Sequence, residues 1–256
     1  MRTIWNSYLF ASIGLLFLLL WMPMGQYDFL VNHWMKIGVY AIPFLGIGIF
    51  AFKRNQEKER LNEDPRFLAM LMLLIYIVHQ FEEHWIDLYG NTYAFYAFNN
   101  NFILDKLGEP DSIILPLTKE SVFVINTSLV WLTGLLAIAK SPRHLFPFFA
   151  MAGIIVINGL VHSIAAVVTF SYNPGLLSAL VIFLPFYLWI LGRSRALRMN
   201  CKKLIVGGLL WAFLAHVLMV GGLLLANWFR IISEPFYWCI LIFWSVLPIF
   251  VLRPKQ

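Results

Sequence analysis

The sequence predicts an all-α membrane protein, a polytopic bundle of about eight transmembrane helices with both termini on the cytoplasmic side. Three observations lead there. Of the 256 residues, 61% are hydrophobic and only 12% are charged, whereas soluble domains carry roughly 25% charged residues. The apolar residues are gathered into runs close to the length of about 20 that crosses a bilayer. The basic residues fall mainly in alternate connections between those runs. No stretch is both polar and long enough to form a separate soluble domain, so residues 1–256 are expected to form a single membrane domain.

The runs follow one another with clear punctuation. The first, 4–22, ends at Pro23 and carries no small-residue cleavage site, so it is expected to be retained as a helix. The second, 34–52, ends at Lys53. The third, 67–88, follows Pro65. The fourth, 121–139, ends at Lys140-Ser141-Pro142, and the fifth, 146–170, at Ser171-Tyr172-Asn173-Pro174-Gly175. The sixth, 176–191, ends at Gly192-Arg193, the seventh, 204–226, at Asn227, and the eighth, 235–252, at Arg253. Hydrocarbon offers the backbone no hydrogen-bond partner but itself, so each run must be a helix.

Charge tests the count independently. With the N-terminus inside and the chain alternating, all of the 19 basic residues fall on the cytoplasmic side except Lys36, Lys106, Lys119 and Arg230. That is the positive-inside bias, and one helix more or fewer in the middle would spoil it. The formal net charge of +6 therefore reads as a topology signal and lipid-headgroup contact rather than nucleic-acid binding. The expected location is the cell (plasma) membrane. Cys201 and Cys239 lie far apart in this topology and imply no disulfide framework.

Two connections stand out. Residues 55–64 form a mixed-charge turn. Residues 90–119, on the outer face, are rich in aromatics, and the Asn99-Asn100-Asn101 run argues against a continuous helix there. This segment reads either as an interfacial cap over a cavity or as a plain connector with aromatic belt residues.

The functional signal lies in the third run, where Ile75 to Tyr89 contains His79, Glu82, Glu83, His84 and Asp87. A single acidic residue near a helix centre costs about 2.5 to 3.5 kcal/mol even on the lenient insertion scale. At about 100° per residue, Glu82 and Glu83 bracket the direction of His79 one turn on. His84 points away from His79 and, with Asp87, is expected near the outer interface in a supporting role. Other runs add Asn158 and His162, four apart and stacked on one face, with Asn126 and Glu120 on the fourth run and His216 on the seventh. The topology puts these groups at similar depth but does not show that their helices touch. A polar network that only locks helix packing is the alternative, and it is the preferred reading for Asn126, Asn158 or His216 taken singly. For His79 with Glu82 and Glu83 it is disfavoured, because serine or asparagine would serve packing at a lower desolvation cost. Asn126-Thr127-Ser128 is formally a glycosylation sequon, but it lies within a span.

The His79-x-x-Glu82-Glu83 string, Asn158 to His162, and Tyr172-Asn173-Pro174-Gly175 together resemble the signature of the HXXEE family of integral membrane proteins. The three elements occur in the expected order over roughly 67–192. The resemblance implies a shared site but no reaction. His79, Glu83, Trp85 and Glu120 are also similar in outline to the sterol isomerase and emopamil-binding superfamily. That likeness implies lipid-like substrates and carboxylates that move protons at a carbocation.

Three functions are left open. One is an enzyme for a lipophilic lipid or isoprenoid substrate, built on His79, Glu82, Glu83, His162, Asn158 and Glu120. One of the paired glutamates would stay protonated as general acid, and its neighbour, paired with His79 or His162, would act as base. Tyr172 and Asn126 would help bind what the site holds. Another is a divalent metal centre, zinc or iron, on His79, Glu83 and His162, with Glu120 as a possible fourth ligand. The last is a transporter or lipid-binding protein that uses the same groups as a proton relay.

Overall fold

The computed structural model describes residues 28–54, 64–107, 115–141, 143–196 and 202–252. Among them the regular elements are helices, with one isolated bridge between Ile86 and Thr92. The first apolar run, Cys201 and nearly all of the 55–64 turn lie outside the described residues. Helix α1 covers Asp28–Arg54 and α2 Pro65–His84. A short helix, α3 (Ala94–Leu107), lies in the long connection. Then follow α4 (Lys119–Lys140), α5 (Phe146–Thr169), α6 (Leu176–Arg193), α7 (Lys202–Trp228) and the shorter apolar α8 (Glu234–Ile249). Six of these, α1, α2, α4, α5, α6 and α7, are long and apolar enough to cross a membrane. The protein is a multi-pass membrane protein, and every described run matches its expected place to within a few residues.

The helices start where local chemistry tells them to. Pro65 opens α2, and the Asp64 side chain accepts from the Arg66 backbone N–H at 2.8 Å, meeting one of the donors that a helix start leaves unpaired. Thr118 caps α4 by accepting from Ser121 N–H at 3.1 Å. Helix α4 widens to π geometry over Asn126–Leu132. The loosened carbonyls are covered by side chains of the same turn: Thr127 Oγ1 donates to Phe123 O at 2.7 Å and Ser128 Oγ to Val124 O at 2.6 Å. Helix α6 has a second π turn, Ala179–Phe183. Such turns re-aim side chains within a continuing helix.

The long connection departs from the sequence reading. Helix α3 runs straight through Asn99-Asn100-Asn101. Asn100 donates to Leu117 O at 3.1 Å and accepts from Leu117 N–H at 3.0 Å, so a side chain that usually competes with helix instead pins α3 to the chain leading into α4.

Helices α2 and α4 form the enclosed centre. Helices α1, α5, α6 and α7 turn apolar side chains such as Phe44, Ile164, Val181 and Phe213 outward, a surface suited to lipid rather than water. Helix α5 packs against both α2 and α7. At the α5–α7 crossing, Gly153 and Gly208 bring the backbones together, and a Cβ at either position would run into a main-chain carbonyl of the other helix. Small residues at such crossings are how membrane helices gain close packing. Helix α5 is thereby held with His162 facing α2.

Candidate active site: a histidine and glutamate cluster between α2, α5 and α6

His79 and Glu83 sit one turn apart on α2, and His162 reaches them from α5. Glu83 stands between the two rings, with Oε2 3.5 Å from His79 Nε2 and Oε1 3.4 Å from His162 Nε2. One ligand atom from each of the three residues lies within 4.8 Å of the others. The cluster is closed off: His79 is 0% exposed and Glu83 and His162 are each 5% exposed. Phe183, from the π turn of α6, packs on the His79 ring at 4.4 Å.

The hydrogen bonds around the cluster fix its tautomers. Asn173 Nδ2 donates to the His162 carbonyl at 3.0 Å, which turns Asn173 Oδ1 toward His162 Nδ1 at 2.6 Å. That nitrogen must therefore carry the proton. Ser178 Oγ donates to Glu82 Oε2 at 2.5 Å, so its contact with His79 Nδ1 at 2.8 Å has the ring as donor. With Nδ1 protonated, a neutral ring turns an Nε2 lone pair toward the Glu83 carboxylate, and an imidazolium donates Nε2–H to it.

A chain of bonds sets the third imidazole. Trp131 Nε1 donates to Gln80 Oε1 at 2.7 Å, and Gln80 Nε2 to Asn126 Oδ1 at 2.9 Å. Asn126 Nδ2 then faces His84 Nε2 at 3.1 Å, making that nitrogen an acceptor. It also lies 3.0 Å from Glu83 Oε2. Three imidazole Nε2 atoms therefore surround one carboxylate. His84 thus supports the cluster directly, although its helical angle points it away from His79. It is the last residue of α2, and Asn126 and the rings of Trp34 and Phe95 hold it against Glu83.

Glu82 has the opposite surroundings. It accepts from Leu177 N–H at 3.0 Å, Ser178 N–H at 2.7 Å, Ser178 Oγ–H, and Tyr172 O–H at 3.0 Å. Its carboxylate caps the start of α6 from a different helix, where the aligned peptide dipoles favour an anion. Four donors on one carboxylate leave no bond for a proton to make. Both Glu82 oxygens are thus occupied in holding the start of α6. Tyr172 lies in the turn outside the spans. Burial, and then the Glu82 and Asp87 charges, hold its hydroxyl above its usual range despite the bond from Leu88 N–H, so it stays a donor at neutral pH.

The Tyr-Asn-Pro-Gly turn closes the arrangement. Gly175 has φ +95°, and a Cβ there would stand 2.8 Å from both the His79 and His162 rings. Only glycine combines that backbone with that closeness. Asn158 lies one turn from His162 but is not bonded into the cluster, and its buried Oδ1 meets no donor among the described residues. Glu120 makes no ion pair with the cluster among the described residues. Its charge, after burial, holds the Tyr96 hydroxyl of α3 above the ordinary value. The structure thus supplies no support for Glu120 as a fourth ligand. His216 Nδ1 bonds its own helix at Ala212 O, 2.8 Å away.

Sequence reasoning missed Ser178, Gln80 and Trp131. Ser178 follows the Tyr-Asn-Pro-Gly element by three residues, which is the signal that could have found it. Asn173 and Gly175 lay inside a motif already quoted, without roles.

Residues 70–190 match the family described as protein of unknown function with HXXEE motif. That region belongs to the HXXEE family. The HXXEE region contains the whole cluster, the turn that buttresses it and the Trp131–Gln80–Asn126 chain, and it leaves α1, α7 and α8 outside. Neither curated proteins nor solved structures gave a match.

Proposed function

We propose that the protein is an intramembrane enzyme for a lipophilic substrate, working through a divalent metal ion held by His79, Glu83 and His162. The observation that carries this is the convergence of lone pairs. With the imidazoles neutral and Glu83 ionised, the facing lone pairs repel one another. A single proton on Glu83 relieves one of those contacts, whereas a divalent cation relieves the His79, Glu83 and His162 contacts together. Two imidazoles and a carboxylate are a donor set for zinc or iron with positions left open. Their Nδ1 atoms are already tied to Asn173 and Ser178, as metal-ligating imidazoles require. The metal would supply Lewis acidity and an activated oxygen ligand. His79 and His162 orient it, Glu83 balances its charge, and Phe183 and Tyr76 keep water from His79. The lipophilic substrate follows from the site's placement within apolar helices. Glu82 holds α6 in place and is not a proton donor.

Elemental analysis of the purified full chain tests this. Zinc or iron near one per chain is expected, and it should be lost in Glu83→Gln and His162→Ala. Wild-type protein without either metal, prepared without chelators and challenged with both, would end the metal reading.

A further inference from the structure

The cluster has a neighbour on its outer side. A cavity of about 60 Å³ lies between the start of α1, the chain entering α3, and the start of α4. That is several times what one water molecule needs. His84 forms part of its wall, and His84 Nε2 is 3.0 Å from Glu83 Oε2. The cavity and the metal-ligand cluster therefore share this one side chain. The rest of the wall is Val31, Trp34, Met35 and Val122 with the rings of Tyr93 and Tyr96, and Asn32 and Lys119. Among the described residues its cation is Lys119, whose Nζ donates to Asn32 Oδ1 at 2.7 Å. No carboxylate is among the described residues of the wall.

We infer that this cavity binds the head and first carbons of an amphiphile whose head is acidic, a carboxylate or a phosphate. Lys119 supplies the opposite charge, with Asn32 beside it. The side chains of Val31, Met35 and Val122 match the first methylenes, where a wholly polar ligand would gain nothing. The rest of the hydrocarbon lies against the apolar faces that α1 turns to lipid. The ligand is thereby placed with its head-proximal bonds beside His84, one contact from Glu83. The inference gives the substrate class for the site proposed above and rests on that reading for its catalytic meaning. The binding itself does not depend on the metal.

Photolabelling tests it. The full chain in lipid nanodiscs is exposed to a palmitate analogue carrying a diazirine close to its head, and separately to the matching fatty alcohol. The acid should label peptides containing Val31–Met35 or Val122, and unlabelled palmitate or lysophosphatidate should compete. Whichever of the two competes better identifies the head as carboxylate or phosphate. Lys119→Glu, a change at an exposed position, should reduce labelling at least tenfold while metal content stays at the wild-type level. His162→Ala should lose the metal and keep the labelling, so failure of one reading is separable from failure of the other. Met35→Phe, which fills the cavity, should also reduce labelling. Equal labelling by the alcohol, labelling spread without competition over the lipid-facing helices, or labelling unchanged in both Lys119→Glu and Met35→Phe would each overturn the inference.

Discussion

Two carboxylates are tucked among the ends of these helices, and their neighbours differ in kind. Glu234, in the first turn of α8, accepts through Oε1 from Thr118 Oγ1, from Ser121 Oγ at 2.5 Å and from Asn227 Nδ2 at 3.2 Å. Trp238 Nε1 supports Ser121 at 3.0 Å. The donors come from the start of α4 and the end of α7, and the acceptor opens α8, so this cluster ties three helix ends together. Glu83 meets no hydroxyl or amide donor among the described residues. Its near neighbours are three imidazole Nε2 atoms. A carboxylate ringed by hydroxyl and amide donors is satisfied as it stands and serves packing. A carboxylate ringed by imidazoles needs a proton or a cation among them, and the proposed metal supplies the cation. Glu82, one residue from Glu83, belongs with Glu234 in this respect.

The contrast can be broken in several ways. The largest effect is expected from metal removal. A ligand present at 100 to 1,000 times its dissociation constant stabilises a fold by about 3 to 4 kcal/mol, so a strong chelator should lower thermal stability in detergent by about that much. Glu83→Gln should be insensitive to the chelator, and a wild-type protein equally insensitive would place Glu83 with the packing carboxylates. Next, Glu82→Gln puts an N–H₂ group among four donors, and unpaired buried donors cost about 1 to 3 kcal/mol. Stability should fall by about 2 to 3 kcal/mol while the metal-to-protein ratio holds. Loss of metal without loss of stability would reverse the roles assigned to the two glutamates. Ser178→Ala removes the partner of His79 Nδ1, a kind of change that typically lowers metal affinity by about 10- to 100-fold, and metal titration would show it. The smallest effect is expected at Glu234. Glu234→Gln keeps an oxygen for all three donors and loses only charge assistance, so a drop of about 1 kcal/mol with normal metal binding is the expected result by thermal unfolding and elemental analysis.

Much of this was legible in the sequence. Run length and punctuation placed α1, α2 and α4 to α8 within a few residues, because the bilayer permits little else. His79, Glu83 and His162 stood out because ionisable groups are costly in hydrocarbon. Helix α3 did not stand out. Its Asn run looks like a helix breaker until Asn100 finds Leu117, 17 residues on. Glu234 gave no signal either, since an acid at the start of an apolar run is ordinary.

Helical spacing put Glu82 and Glu83 close to His79 but could not tell them apart. That division was made by α6 and the turn before it, which bring donors to Glu82 from as far as 96 residues away, while α5 brings an imidazole to Glu83. The same holds for Gly175, whose need is visible only where two imidazole rings converge on it. Hydropathy and the cost of burying charge act along the chain and can be read from it. The partner a buried polar atom meets is set by which helices pack side by side, and that was decided by the tertiary structure.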